Sequence, residues 1–338
     1  MGQTSSNQER EHVLIDRFNR RITYLRISIT DRCNLRCMYC MPPVGERKLR
    51  HKEILRYEEL LRIARIAIKL GITKIRLTGG EPLVRKGVQE FISMLAALEG
   101  LEDISITTNG VLLKENLVML KAAGIKRLNI SIDSLDREKF KRITRFDYFK
   151  KVWEGIETAR DMGFHPIKLN VVLMKGINDN EVLDLGRLAL EQPYHLRFIE
   201  CMPVGLAENN LAFIPNAEIE RTLIDSFGPL IPISPGVHDG PARRFGFEGG
   251  NGEIGFISAI SHSFCQECNR LRLTANGMLL PCLLSNREVD IKDPLRRGCL
   301  DGELIKAFEK AVGLKPECHP LSLENHEKVH RKMCSVGG

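Results

Sequence analysis

Short apolar, β-branched runs punctuate the N-terminal two thirds of the chain. They fall at residues 24–29 (YLRISI), 74–77 (KIRL), 104–107 (ISIT), 127–132 (RLNISI), 168–173 (KLNVVL) and 195–199 (HLRFI). Each has the length and composition of a strand, and the segments between them carry helical spacing. In 56–70 the apolar positions Leu60, Ile63, Ala64, Ala67 and Leu70 recur at i, i+3, i+4 and i+7, and 112–122 and 182–190 behave alike. Lys121-Ala-Ala-Gly124 reads as a helix end with its glycine cap. Strand and helix in alternation imply parallel strands joined by right-handed crossovers. The pattern therefore predicts an α/β fold, either a partial β/α barrel or an open parallel sheet. Periodicity does not separate those two.

Ligands in such folds bind at the carboxyl ends of the strands. The polar clusters of this chain fall there. DRCNLRCMYC follows the first strand, and Thr78-Gly79-Gly80-Glu81-Pro82 follows the second. Thr107-Thr108-Asn109-Gly110, Ser131-Ile132-Asp133-Ser134 and Glu200-Cys201-Met202-Pro203 end later ones. Taken singly each is a turn sequence. One per strand end, they favour a ligand site ringing a single mouth.

Cysteine usage sharpens this. Six of the ten cysteines form two triplets, Cys33-x3-Cys37-x2-Cys40 and Cys265-x2-Cys268-x13-Cys282. Structural zinc closes with four ligands, whereas reactive centres keep a position open, and a four-iron cluster held by three thiolates leaves one iron free. Disulfides are not expected, because the chain opens without an apolar signal segment and is far larger than a disulfide-stapled domain. Zinc stays a rival at the second triplet, where His262 could supply the fourth ligand. Cys201, Cys299, Cys318 and Cys334 stand alone and read as small buried or idle thiols. Length (338 residues), 43% hydrophobic and 28% charged content describe a globular protein. The net charge of +7 permits a basic cleft for a phosphorylated ligand, but equally a solvated lysine-rich surface.

Cys33, Cys37 and Cys40, with Tyr39 before the last and GGEP after the second strand, resemble the radical S-adenosylmethionine superfamily. YLRISITDRCNLRCMYCMP, KIRLTGGEPLVRKG, RLNISIDSLD, KLNVVLMKGIND, LRFIECMPVG, CNRLRLTANGMLLPCL and the final Gly337-Gly338 occur in order. Together they resemble the GTP 3′,8-cyclase family, which acts in molybdenum cofactor biosynthesis. The resemblance implies a partial (β/α)6 TIM-like barrel over residues 16–235, after a disordered lead-in over 1–15. It places a C-terminal α+β region over 236–325 and a mobile tail over 326–338. It implies two 4Fe-4S clusters, one on each cysteine triplet, and S-adenosylmethionine contacted by Tyr39, Gly80, Glu81, Ser131 and Met202. GTP would be lined by Arg26, Arg76, Thr107, Lys168, Arg197, Arg270, Leu271 and Arg272, with Gly337 and Gly338 entering the active site for turnover. Implied partners are a flavodoxin- or ferredoxin-type electron donor, cyclic pyranopterin monophosphate synthase and a second copy in a homodimer, with no nucleic acid or membrane, in the cytoplasm. Val336 and Phe146 depart modestly from the family pattern.

The arginines suit a triphosphate on their own account, since a guanidinium binds phosphate oxygens bidentately. Arg270 and Arg272 alternate on a strand and share one face, as do Lys74 and Arg76. Three other readings remain at this point: a different radical enzyme with an auxiliary cluster, such as a peptide maturase; a metal-binding module that contacts nucleic acid; and a structural zinc protein.

Overall fold

The computed structural model describes residues 13–204, 213–236, 239–319, 321, 329, 331 and 333–337. Of the expected disordered lead-in over 1–15, residues 1–12 lie outside the described residues, as does the expected catalytic Gly338. The end of the lead-in is instead ordered, with Leu14 buried and its N–H donated to the Leu70 carbonyl at 3.3 Å. Six parallel strands follow in sequence: β1 (Tyr24–Ser28), β2 (Lys74–Thr78), β3 (Asp103–Thr108), β4 (Leu128–Ser131), β5 (Ile167–Leu173) and β6 (Tyr194–Glu200). Between them run α1 (Tyr57–Lys69), α2 (Val88–Ala96), α3 (Leu113–Ala122), α4 (Arg137–Thr144), α5 (Phe149–Asp161) and α6 (Val182–Glu191).

The expected strands and the helices at 56–70, 112–122 and 182–190 sit within a residue or two of these bounds. Gly124 takes a left-handed φ of 81°, as its place after α3 requires. Spacing did not name α2, α4 or α5; in α4 the only large apolar side chains, Phe140 and Ile143, are both buried.

Along each strand alternate residues divide between two environments. Leu25 and Ile27, Ile75 and Leu77, and Leu196 and Phe198 pack into the core beneath the helices. The opposite set, including Arg26, Arg76 and Arg197, lines an interior cavity.

After α7 (Asn216–Phe227) the chain adds strands to both edges of the same sheet. β7 (Ile231–Ile233), β8 (Arg243–Gly246) and β9 (Glu253–Ile257) extend it beyond β6, with β9 parallel to β6. β10 (Arg270–Leu273), β11 (Met278–Leu280) and β12 (Val289–Asp290) extend it beyond β1, with β10 parallel to β1. The twelve-stranded order is β12-β11-β10-β1-β2-β3-β4-β5-β6-β9-β8-β7. Residues from β1, β2, β3, β5, β6, β9 and β10 line one cavity, so the sheet wraps around it as a partial barrel. α8 (Lys292–Arg296), α9 (Asp301–Gly313) and α10 (Met333–Val336) complete the described chain, and α10 packs near β1. No helix among the described residues is long and apolar enough to cross a membrane.

Candidate active site

The first cysteine triplet leaves β1 in a loop clamped from three sides. Gly80 N–H donates to the Thr30 carbonyl at 2.7 Å and Glu81 N–H to that of Arg32 at 2.8 Å. A Cβ on Gly79 would meet the Thr30 oxygen at 2.6 Å, and one on Gly80 would meet the Arg32 oxygen at 2.4 Å. The paired glycines thus admit the backbone of the cysteine loop itself. Glu81 is fully buried and accepts from Thr108 Oγ1 (2.8 Å), Asn109 N (2.6 Å) and Leu83 N (3.0 Å), yet burial still raises its carboxyl to about 7. It fixes Asn109, whose Nδ2 donates to Asn34 Oδ1 (2.7 Å) and lies 3.6 Å from Cys33 Sγ. From the far side Arg145 donates to the carbonyls of Arg36 (2.5 Å) and Met41 (2.8 Å). Tyr39 Oη donates to Asp133 Oδ2 at 2.8 Å.

Burial raises all three thiols, Cys33 to about 11, and neighbouring charges push the same way: Glu81 on Cys33 and Asp133 on Cys37. Such thiols become ligands only when a strong positive centre compensates their thiolates.

The second triplet is built by the β10–β11 hairpin, which returns Cys282 to the side of Cys268. A buried lysine ties it together: Lys315 Nζ donates to the carbonyls of Arg270 (2.9 Å) and Pro281 (3.0 Å) and to Cys268 Sγ (3.3 Å). Burial works to raise the Cys268 thiol, but Arg270 and Lys315 outweigh it and bring it down to about 6. Cys265 rises to about 11 through burial.

Three thiolates on one tetrahedral ion at ~2.3 Å would stand ~3.8 Å apart. Among the described residues neither triplet brings its three sulfurs within 4.8 Å of one another, which suits a multi-iron cluster better than a lone zinc. His262, the fourth ligand of the zinc reading, is exposed and outside any such group. The histidine beside Cys265 is His319, which sequence reading passed over.

The cavity opens against Cys265, Cys268 and Cys282. On its wall Arg26 faces Arg76 on one neighbouring strand and Arg272 on the other, in direct register. Adjacent strands stand about 4.8 Å apart, and like charges directly opposite destabilise a sheet. Burial lowers Arg26 well below its usual value, with Arg272 adding to the fall; burial and then Arg270 bring Arg272 to about 10. Arg197 falls to about 9 through burial and the charge of Arg76. Among the described residues none of Arg76, Arg197, Arg270 and Arg272 is paired with a carboxylate. Tyr24 Oη, Thr107 Oγ1 and Asn170 Oδ1, all on the cavity wall, are buried without hydrogen-bond partners among the described residues. A site with this much uncompensated positive charge and orphaned polarity is built for a polyanion that also offers hydrogen bonds.

The remaining expected residues sort clearly. Met202 lines the cavity and Ser131 ends β4 in register with Asn170. Leu271 alternates away from Arg270 and Arg272, and its side chain lies in the hydrophobic core. Lys168, two residues before Asn170 on β5 and so on the same strand face, is buried 3.5 Å from Asp239, and burial followed by Arg197 lowers it to about 7. Lys74 likewise pairs with Asp103 at 3.5 Å and stands 4.8 Å over the Tyr24 ring.

The tail reaches this cavity. Met333 lines it, and the Gly337 carbonyl accepts from Arg272 Nη1 at 3.0 Å. Gly337 has a φ of 73°, and a Cβ there would lie 2.3 Å from Thr78 Cγ2. Val336 is buried in a small apolar cluster with Val204, Leu280 and Leu321.

The comparisons agree with this geometry. Residues 27–189 match the radical SAM superfamily and residues 194–321 match Molybdenum Cofactor Synthesis C. The chain is 50% identical to the GTP 3′,8-cyclase of Moorella thermoacetica over 324 residues, covering 96% of this chain and 99% of that protein. It is 50% identical to the GTP 3′,8-cyclase of Thermodesulfovibrio yellowstonii over 325 residues (96% and 99%) and 47% identical to that of Geobacter sulfurreducens over 327 (96% and 99%). Streptococcus suis SuiB bound to S-adenosylmethionine superposes with a TM-score of 0.57 at 14% identity, covering 94% of this chain and 77% of that one, a likeness of fold alone. A cysteine loop clamped by GGEP, a basic cavity against a second triplet and near-full-length identity of about half lead to one assignment: the chain belongs to the GTP 3′,8-cyclase family of the radical SAM superfamily.

Proposed function

We propose that this chain converts GTP into 3′,8-cyclo-7,8-dihydro-GTP, the first step of molybdenum cofactor biosynthesis. The observation that carries the reading is the in-register row Arg272–Arg26–Arg76 on a cavity that ends at Cys265, Cys268 and Cys282. The row, with Arg197 and Arg270, takes the triphosphate. Tyr24, Thr107 and Asn170 supply the neutral hydrogen-bonding groups along the same wall.

Cys33, Cys37 and Cys40 would hold the first 4Fe-4S cluster, which with S-adenosylmethionine would supply the radical chemistry at the 3′ hydrogen of the ribose. Tyr39, Gly80, Ser131 and Met202 contact S-adenosylmethionine, while Glu81 positions Asn109 beside Cys33. Cys265, Cys268 and Cys282 would hold a second 4Fe-4S cluster, at the end of the cavity where the guanine base would bind. Ribose C3′ and guanine C8 must be held against one another while the new carbon–carbon bond closes, and fixing both ends of the nucleotide supplies that constraint. Gly337 approaches the triphosphate end through Arg272, and Gly338 is proposed to act with it in turnover. A flavodoxin- or ferredoxin-type donor delivers the electrons, cyclic pyranopterin monophosphate synthase consumes the product, and the protein works as a cytoplasmic homodimer.

The test is deuterium transfer from 3′-deuterated GTP into 5′-deoxyadenosine, read by mass spectrometry on anaerobic, cluster-reconstituted protein. Deuterium in the deoxyadenosine is the expected result. Deoxyadenosine without deuterium would refute GTP, or its 3′ position, as the site of attack.

A further inference from the structure

Cys318 lies beyond the second triplet in sequence and has no part in the function above, yet it does not stand alone in space. Its sulfur, the Cys265 sulfur and a ring nitrogen of His319 lie within 4.8 Å of one another. This is the one such group of three among the described residues, and its donors are the two thiols and one imidazole that soft divalent ions prefer.

The imidazole is prepared as a ligand. His319 Nε2 lies 2.8 Å from the Ala259 carbonyl. A carbonyl can only accept, so Nε2 carries the ring proton and Nδ1 keeps a bare lone pair. Nδ1 is buried and has no hydrogen-bond partner among the described residues. A ring nitrogen anchored to a backbone carbonyl, with the other left bare, is the arrangement metal-bound histidines show. Ser263 Oγ lies 3.3 Å from Cys318 Sγ and can donate to its thiolate.

The juxtaposition is fixed by a buried residue. Arg20, ion-paired to Asp16 at 2.6 Å, donates to the carbonyls of Cys265 (2.5 Å), Pro316 (2.6 Å) and Glu317 (2.9 Å). One guanidinium thus holds the Cys265 turn and the 316–318 segment after α9 together.

We propose that Cys265, Cys318 and His319 form a site for a single zinc-class divalent ion, with solvent as fourth ligand on the exposed Cys318 side. Binding deprotonates both thiols and releases their protons. Cys265 cannot serve this ion and an iron cluster at once, so zinc at the site and the second cluster exclude one another. That exclusion rests on the proposed role of Cys265 in the second cluster; the zinc site itself does not.

The test uses the full chain, stripped of iron under anaerobic conditions and titrated with zinc and with cobalt(II). One equivalent should bind at this site, and cobalt should give the intense absorption of a tetrahedral thiolate centre. Cys318→Ser and His319→Gln should each weaken binding more than about tenfold. Cys318 is exposed, so Cys318→Ser should leave the fold intact, checked by circular dichroism. Equal affinity in wild type and Cys318→Ser, or an affinity lost with Cys268→Ser and Cys282→Ser but not with Cys318→Ser, would overturn the site. Zinc-loaded chain is then given iron and sulfide. Iron uptake confined to the first triplet supports exclusion. Full uptake with zinc retained refutes exclusion, and would locate the failure in the Cys265 cluster assignment rather than in the zinc site.

Discussion

The two cysteine triplets share a ligand count and differ in nearly everything around it. The first sits in a loop bordered by Asp133 and Glu81, and its thiols are pushed upward by burial and by those carboxylates. The second is crossed by Lys315 and Arg270, and one of its thiols, Cys268, is pulled down to about 6. A negatively bordered cluster is harder to reduce, and positive charge or hydrogen bonds to sulfur raise a cluster's potential. The first environment suits a centre that must pass an electron onward as a strong reductant. The second suits one that binds an electron-rich ligand beside a basic cavity. On the proposed assignment, three thiols in each triplet would be given different work by what lies behind them.

The contrast breaks most completely at the ligands. Cys33→Ala should abolish 5′-deoxyadenosine formation, assayed by mass spectrometry with and without GTP. Cys268→Ala should leave a measurable rate of S-adenosylmethionine cleavage while cyclised product disappears.

Next comes the tail. Gly337→Ala places a methyl against Thr78 at a left-handed φ and should reduce turnover far more than GTP affinity. A second change, Thr78→Ala, should restore part of the rate; no recovery would mean that backbone strain, and not the Thr78 contact, sets the loss.

The arginine row gives a smaller effect with an informative sign. Arg76→Ala removes a charge-assisted contact to phosphate and should weaken GTP roughly tenfold to a hundredfold, from about 1.5–3 kcal/mol. It also relieves repulsion from Arg26, so the melting temperature of the ligand-free protein should not fall. A fall in both would assign Arg76 to folding rather than to the nucleotide.

The subtlest test lies in pH. In cluster-free protein the Cys268 thiolate is lost only as pH falls through about 6, so its alkylation at neutral pH should be near its plateau. Cys265 and Cys33, both near 11, should still be gaining rate as pH rises. The folded value of Cys268 lies below its ordinary 9.0, so its contribution to stability is full above pH 9 and is lost as pH falls through about 6. Lys315→Ala should shift the alkylation profile upward and lower the reduction potential of the second cluster, followed by an EPR-monitored redox titration.

The alternation of strand and helix was legible because each strand buries one face against helices that repeat at 3.6 residues. The strand-end polar clusters were legible for the same topological reason. Register was not. That Arg26 stands between Arg76 and Arg272 depends on pairings between residues far apart in sequence, and β10 joins β1 across most of the chain. Nor did sequence spacing reveal Arg145 and Lys315, whose guanidinium and ammonium groups reach backbone carbonyls of the two cysteine regions. Leu271 had been grouped with its neighbours by motif, and strand alternation turns it into the core. Gly80 was expected as a cofactor contact, and the GGEP motif did not show that a Cβ on Gly79 or Gly80 would meet the backbone of Thr30 and Arg32. Cys318, read as idle, has its sulfur within 4.8 Å of that of Cys265, with Arg20 bonded to the carbonyls of Cys265 and Glu317.

The central claim is a division of labour between the triplets, and one paired measurement addresses it. Equilibrium binding of radiolabelled GTP and reductive cleavage of S-adenosylmethionine would be measured anaerobically on two triple variants, Cys33/Cys37/Cys40→Ala and Cys265/Cys268/Cys282→Ala. A crossed result is predicted: the first variant binds GTP but forms no 5′-deoxyadenosine, and the second forms 5′-deoxyadenosine but binds GTP weakly. Loss of both activities in both folded variants would contradict it, and would mean that the two centres act as one.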